Sequence, residues 1–217
     1  MIAMLLSAGR GERLRPITDT KPKPLVEIRG RPLIEYHLER VRQAGITDIV
    51  INLGWLGDEI LEHVGSGERF GVNVIYSPEG ENILETGGGI HRALPMLGSE
   101  PFVVINADIF TDMPLPGDGL DADELGHLVL VPRPAFRDHG DFSLQGDRIS
   151  NTEPRDLTFS GVAIYRPEFF ADCEPGRFPL APMLRAAADE RRLSGSVYEG
   201  TWQDVGTVDR LNALNRT

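Results

Sequence analysis

Two glycines, an arginine and a lysine early in the chain have the types and spacing needed to hold phosphate oxygens. Gly9 and Gly11 let main-chain N–H groups approach a polyphosphate closely, and Arg13 adds a permanently charged fork. Lys23 stands between Pro22 and Pro24, which restrict the backbone on both sides and hold its ammonium in one place. A dinucleotide-binding loop would need a third glycine at position 14, where the chain has Leu14. It would also need an acidic residue ending the second strand, where the chain has Leu53 and Gly54. A P-loop is excluded, because no Gly-Lys-Ser/Thr occurs. The glycine pair alone fits many tight turns; the proline-locked lysine beside it is less ordinary.

Three further segments could carry chemistry. Asp108 directly follows an apolar run, and Asp204 sits in the stretch Trp202-Gln203-Asp204-Val205-Gly206-Thr207, which reads as a glycine-containing turn. Either aspartate alone is an ordinary cap or turn carboxylate. Together, two separated carboxylates with phosphate oxygens and water form the donor set that octahedral Mg²⁺ uses. Gly87, Gly88 and Gly89 follow Thr86 in a loop. Three successive glycines suit close backbone contact with a ligand rather than packing, and a flexible hinge is the alternative.

The apolar pattern supplies elements to position these residues. Residues 2–8 form a continuous apolar run that stops at glycines, as a strand buried on both faces does. Pro32 opens a helix with Leu33, Ile34, Leu38 and Val41 on one face, and Gly45 ends it. Residues 48–53 read as a second strand, Leu56, Ile60, Leu61 and Val64 as a helix face, and 72–76 as a third strand. A short helix near 90–97 precedes a fourth strand over 102–106. This alternation predicts an α/β sheet with right-handed crossovers. Strands at 127–131, 142–144 and 159–165, with little helix between them, predict a mixed edge, and 113–124 a polar connection. In such sheets ligands bind at the carboxyl ends of the parallel strands, where residues 7–13 and 106–108 fall.

With 41% hydrophobic and 25% charged residues among 217, the composition is that of a soluble globular protein with one substantial core. The net charge of −11 and the lack of a basic stripe argue against a nucleic-acid partner. Cys173 is the only cysteine, which excludes an intramolecular disulfide and a cysteine-based zinc site. The apolar start is too short to span a membrane and lacks the flanks of a signal peptide, so the expectation is a cytoplasmic protein. His37, His63, His91, His127 and His139 show no ligand spacing.

The combination of segments, in order, resembles the sugar-phosphate nucleotidyltransferase family. Its opening motif corresponds to residues 6–18 with Pro22-Lys23-Pro24-Leu25. Thr86-Gly87-Gly88, Asp108 closing a strand, Phe159-Ser160-Gly161 and Trp202-x-Asp204-Val205-Gly206-Thr207 follow. The likeness runs from about residue 2 to 209. It implies a Rossmann-like α/β fold, a mixed and mainly parallel sheet flanked by helices, in one nucleotidyltransferase domain over 1–217. No C-terminal β-helix is expected, and a monomer is the default. It further implies Mg²⁺ as cofactor, a nucleoside triphosphate and a sugar 1-phosphate as partners, and no nucleic-acid or membrane partner. By the resemblance, Ala8, Gly9 and Gly88 contact base and ribose, and Gly11 and Arg13 cradle the β- and γ-phosphates. Lys23 reaches the α-phosphate and the incoming sugar phosphate, and Asp108 and Asp204 bind the metal. Arg13, Lys23 and Asp108 would be the catalytic group. Asn106, Asp141 and Glu153 fall where relatives contact the sugar.

One departure concerns the Glu-Lys-Pro of many relatives, which is Glu153-Pro154 here; either Arg155 substitutes for the lysine or that contact is not made. Rivals within the class are a mannose- or glucose-1-phosphate nucleotidyltransferase using GTP, UTP or dTTP and, more distantly, a choline-phosphate cytidylyltransferase. The non-enzyme alternative is a silent nucleotide-sugar sensor. A sensor would not need Arg13, Lys23, Asp108 and Asp204 together.

Overall fold

The computed structural model describes residues 1–80, 83–117 and 119–216. In chain order the elements are β1 (Ala3–Leu6), β2 (Glu27–Ile28), β3 (Arg31–Pro32), α1 (Leu33–Gln43), β4 (Asp48–Leu53), α2 (Gly57–Val64), β5 (Asn73–Pro78) and α3 (Glu85–Leu97). They continue with β6 (Phe102–Asn106), β7 (Ile109–Thr111), β8 (Gly126–Pro132), β9 (Ser143–Gln145), β10 (Arg148–Ser150) and β11 (Leu157–Tyr165). The last are α4 (Ala181–Asp189), β12 (Leu193–Val197), β13 (Trp202–Asp204) and α5 (Val208–Arg216).

The main sheet has the order β5-β4-β1-β6-β11-β8-β12-β10-β9. Strands β5, β4, β1 and β6 run parallel, whereas β11 runs antiparallel to both β6 and β8. Helices cover the two faces, so β1 and β4 meet apolar partners on both sides and their sequences read as unbroken apolar runs. Ala3 and Leu5 join Ile34, Leu38, Val41 and Ile60 in one cluster, while the intervening Met4 joins Ile90, Ala93, Leu97 and Leu184 in the other. Each fully buried Leu or Ile side chain contributes on the order of 1.5–3 kcal/mol. The expected mixed edge is present. No helix among the described residues is long and apolar enough to cross a membrane.

Several local expectations change. The first strand stops at Leu6, because residues 7–11 leave the sheet to build the glycine loop. Leu61 is exposed rather than part of the buried face of α2. Asp204 ends a strand rather than sitting in a turn: β13 pairs antiparallel with β7, Asp204 opposite Ile109. Helices α4 and α5 were not visible as apolar runs, since each is only 9 residues long and buries two or three side chains.

The largest correction concerns the three glycines. They lie inside α3, which begins at Glu85, and all three are buried. They are glycines because neighbours fill the space of a side chain. A Cβ on Gly87 would sit 2.5 Å from the Phe178 ring, one on Gly88 2.1 Å from the Gly176 carbonyl oxygen, and one on Gly89 2.6 Å from Glu79 Oε1. The segment before α4 therefore lies directly on the helix backbone, with Gly88 N–H donating to the Phe178 carbonyl at 3.1 Å. A Gly88→Ala substitution meets backbone, not a flexible side chain, and is expected to lower the unfolding free energy by about 1–3 kcal/mol. Urea denaturation of the variant beside the parent protein measures this; an unchanged midpoint would show that the 174–180 segment yields freely.

Candidate active site

A cleft of about 570 Å³ opens at the carboxyl ends of β1, β4 and β6. Its walls include Ala8, Gly9, Gly11, Arg13, Lys23, Asn106 and Asp108. Ligand sites of open α/β sheets lie at this position because loops leaving parallel strands diverge there.

The glycine loop is pinned from outside the cleft. Ser7 N–H donates to Asn52 Oδ1 at 2.6 Å, and the Ala8 carbonyl accepts from Trp55 N–H at 3.2 Å. The Gly11 carbonyl accepts from Thr18 Oγ1 at 2.8 Å. Gly11 has φ +62°, and a Cβ there would lie 2.9 Å from Thr18 Cγ2, so both conformation and space call for glycine. Among the described residues no protein acceptor takes the N–H groups of Gly9, Arg10 and Gly11. The Arg10 guanidinium lies over the Trp55 ring, 5.2 Å from its centroid. Arg13 is exposed, and its Nη2 lies beside Gly206.

Lys23 opens a single turn over Lys23–Leu25, in which Leu25 N–H donates to the Pro22 carbonyl at 2.8 Å. Pro24 and Leu25 are buried and anchor that turn, so the lysine is held with little freedom. Its ammonium lies 2.7 Å from Asp108 Oδ2, with the lysine side chain only 10% exposed. Asp108 therefore pairs with a cation across 85 residues instead of capping a local turn. Val205 N–H donates to the Asp108 carbonyl at 2.9 Å, which brings the backbone beside Asp204 next to Asp108. Asp204 Oδ2 accepts from Arg210 Nη1 at 2.7 Å, whereas its Oδ1 is buried with no hydrogen-bond partner among the described residues.

The residues expected on the sugar side separate. Asn106 lines the cleft and lies against Gly161, whose φ of +86° belongs to a bulge in β11. Asp141 does not line it; its Oδ2 accepts from Phe159 N–H at 3.0 Å and its carboxylate pairs with Arg137. Glu153 is an exposed carboxylate held by Arg155 at 2.6 Å, and those hydrogen bonds keep it below the usual carboxylate range. Arg155 is thereby committed to Glu153. Gly88 is turned towards residues 176–178 rather than the cleft. Of the histidines, His37 is buried against α1 neighbours and the Ala107–Ile109 backbone, with burial pushing its pKa down to about 3. His63 pairs with Glu35, and His127 lies between Ser194 and Ser196.

Two polar residues in the cleft wall went unnoticed in the sequence. Asn52, 2% exposed, and Glu79, 7% exposed, form a buried chain. Asn52 Oδ1 accepts from Ser7 N–H, Asn52 Nδ2 donates to Glu79 Oε1 at 2.6 Å, and Glu79 Oε2 accepts from Leu84 N–H at 2.7 Å. It ties the start of the glycine loop to β4, β5 and the start of α3. The available signal was an amide in an otherwise apolar strand, Ile49-Val50-Ile51-Asn52-Leu53.

The model of the family described as "Nucleotidyl transferase" matches residues 2–122. An N-acetylmuramate alpha-1-phosphate uridylyltransferase of Neisseria meningitidis serogroup B is 50% identical, with 97% of this chain and 95% of the relative covered. The chain belongs to the nucleotidyl transferase family. A second relative of the same name, from Caulobacter vibrioides, is 34% identical over 94% of this chain and 91% of its own. The fold of this nucleotidyl transferase also matches a crystal structure of UDP-glucose pyrophosphorylase complexed with UDP-glucose. The TM-score is 0.76 at 20% identity, with 99% of this chain and 97% of the other covered.

Replacing Asn52 by Leu leaves Ser7 N–H and one oxygen of Glu79 without partners. Each buried orphan costs about 1–3 kcal/mol. Asn52→Leu is therefore expected to be less stable by at least about 2 kcal/mol in chemical denaturation; a loss below that would mean water replaces the amide.

Proposed function

We propose that the protein transfers UMP from UTP to N-acetylmuramic acid α-1-phosphate, giving UDP-N-acetylmuramic acid and pyrophosphate, as a step of peptidoglycan recycling. The names of two relatives that match nearly the whole chain support the sugar and the base. The observation that carries the chemistry is the Lys23 ammonium 2.7 Å from Asp108, in a cleft also lined by residues 9–11, whose N–H groups no protein acceptor takes among the described residues.

A sugar-phosphate oxygen is already an adequate nucleophile, so no catalytic base is required. It attacks the α-phosphorus, the new P–O bond forms as the bond to the bridging oxygen breaks, and pyrophosphate leaves with that electron pair. The obstacle is bringing a dianion up to a tetra-anion and holding both in line. In this reading Ala8 and Gly9 receive the nucleoside, and Gly11 and Arg13 hold the β- and γ-phosphates. Lys23 meets the α-phosphate and the acceptor phosphate, and Asn106 faces the sugar.

Asp108 and Asp204 would hold Mg²⁺. The fit rests on the buried, unpartnered Asp204 Oδ1 and on an Asp108 side chain 40% exposed, with the Asp108 carbonyl bonded to the N–H of the residue after Asp204. No group of three or more His, Cys, Asp or Glu among the described residues forms a metal cage. Phosphate oxygens and water would therefore complete the shell of a hard cation. Bound there, Mg²⁺ would neutralise charge developing on the phosphates.

The test is pyrophosphate release with Mg²⁺ for ATP, CTP, GTP, UTP and dTTP against MurNAc-, GlcNAc-, glucose- and mannose-1-phosphate. Activity confined to UTP with MurNAc-1-phosphate is expected. A different active pair would keep the chemistry and replace the pathway, and a folded protein silent with every pair would favour the sensor. Lys23→Ala and Asp108→Asn should each slow turnover about a hundredfold, on the order of 3 kcal/mol. Near-normal kcat and KM in either variant would remove that residue from the mechanism.

A further inference from the structure

The two carboxylate oxygens of Asp204 are in different situations. Oδ2 faces Arg210 Nη1 at 2.7 Å, and Oδ1 is buried without a partner among the described residues. Arg210 is itself held in place. Its N–H reaches Thr207 Oγ1 at 3.4 Å at the start of α5, and its guanidinium lies 3.6 Å from the centroid of the Phe136 ring on the loop after β8. The side chains of Arg210 and Asp204 are only 20% and 16% exposed, so solvent screens the pair poorly. Asp108 has an equivalent partner in Lys23 at the same 2.7 Å. Each carboxylate of the pair thus already carries one positive counter-charge. A divalent ion arriving alone would meet two cations held by their own surroundings. An ion arriving on a triphosphate brings excess negative charge, which Lys23 and the exposed Arg13 can meet.

Resting on the reading of Asp204 as a cation ligand, we propose that Arg210 is a positioning residue that neutralises Asp204 while no divalent ion is bound. The ion then enters only together with a polyphosphate. Because Phe136 holds the guanidinium against Oδ2, the ion is left with Oδ1 alone, and Asp204 ligates through one oxygen. Arg210 does not line the cleft.

The test is a titration of the whole protein with bare Mn²⁺, in the absence of nucleotide and sugar phosphate, with free ion read by electron paramagnetic resonance. The unaltered protein should bind weakly. Arg210→Met should bind at least about tenfold more tightly, because a like charge at close range is gone. Arg210→Lys, which keeps that charge, should stay near the parent. Arg210→Met binding no tighter than the parent, with a native melting transition, overturns the proposal; so does tight binding by the parent itself. Should Arg210→Met fail to fold, Asp204→Asn decides. A carboxylate already neutralised contributes little to bare-ion binding, so its loss should change Mn²⁺ affinity by less than about twofold. A larger loss would show that Asp204 grips the ion despite Arg210, and the proposal falls. None of these outcomes alters pyrophosphate release by the parent protein, so a failure here is separate from a failure of the transfer reading.

Discussion

A lysine whose side chain is nine-tenths removed from water needs a fixed anion beside its ammonium. Leaving such a charge without its partner costs several kcal/mol, which makes the 2.7 Å contact between Lys23 and Asp108 the constraint on which the site depends. Meeting it requires two distant pieces of chain to be rigid. On the lysine side, two prolines and the buried Leu25 fix a single turn. On the aspartate side, β6 ends in the centre of the sheet, and the β7–β13 pair holds the backbone that follows. The second aspartate takes its place from the Asp108 side, whereas Asn52, Trp55 and Thr18 hold the glycine loop.

Residues with a demanding backbone were the most legible in the sequence. Lys23 between prolines, Gly11 at positive φ and Asp108 after a strand buried on both faces carry their signal in one short stretch each. The strands over 48–53 and 102–106 were readable to the residue for the same reason: burial on both faces leaves no polar position to blur the ends. Residues whose role depends on what lies across from them were not legible. Gly87, Gly88 and Gly89 resembled a ligand loop because what they accommodate is distant in sequence: Phe178 and Gly176 for the first two, almost ninety residues later, and Glu79 and Asn52 for the third. Asp141 and Glu153 had the chemistry of sugar ligands, yet Arg137 and Arg155 stand four and two residues away and take them up. Asn52 and Glu79 went unremarked because a buried amide looks like any other residue until its two partners, Ser7 N–H and Glu79, are known.

The buried chain through Asn52 and Glu79 and the ion pairs at Asp108 and Asp204 are two kinds of support for the cleft; of these residues Asn52, Glu79 and Asp108 line it, and Asp204 lies behind Gly206. The first joins neutral or singly charged groups to backbone amides over β1, β4, β5 and α3, and holds shape. The second sets full charges in opposed pairs, Lys23 with Asp108 after β6 and Arg210 on α5 with Asp204 at the end of β13.

Helix α5 adds a support from a distance. Leu211 and Leu214 share a cluster with Leu14, Val26 and Ile28, and Arg29 N–H donates to Asn215 Oδ1 across a separation of 186 residues. The loop that opens the chain is thus sealed by the helix that comes last. Leu33 and Phe110 belong to the same cluster, so the apolar residues that flank the glycine loop rest on β7, on α1 and on α5 at once. Loosening α5 would therefore be felt at the loop, although the helix does not line the cleft.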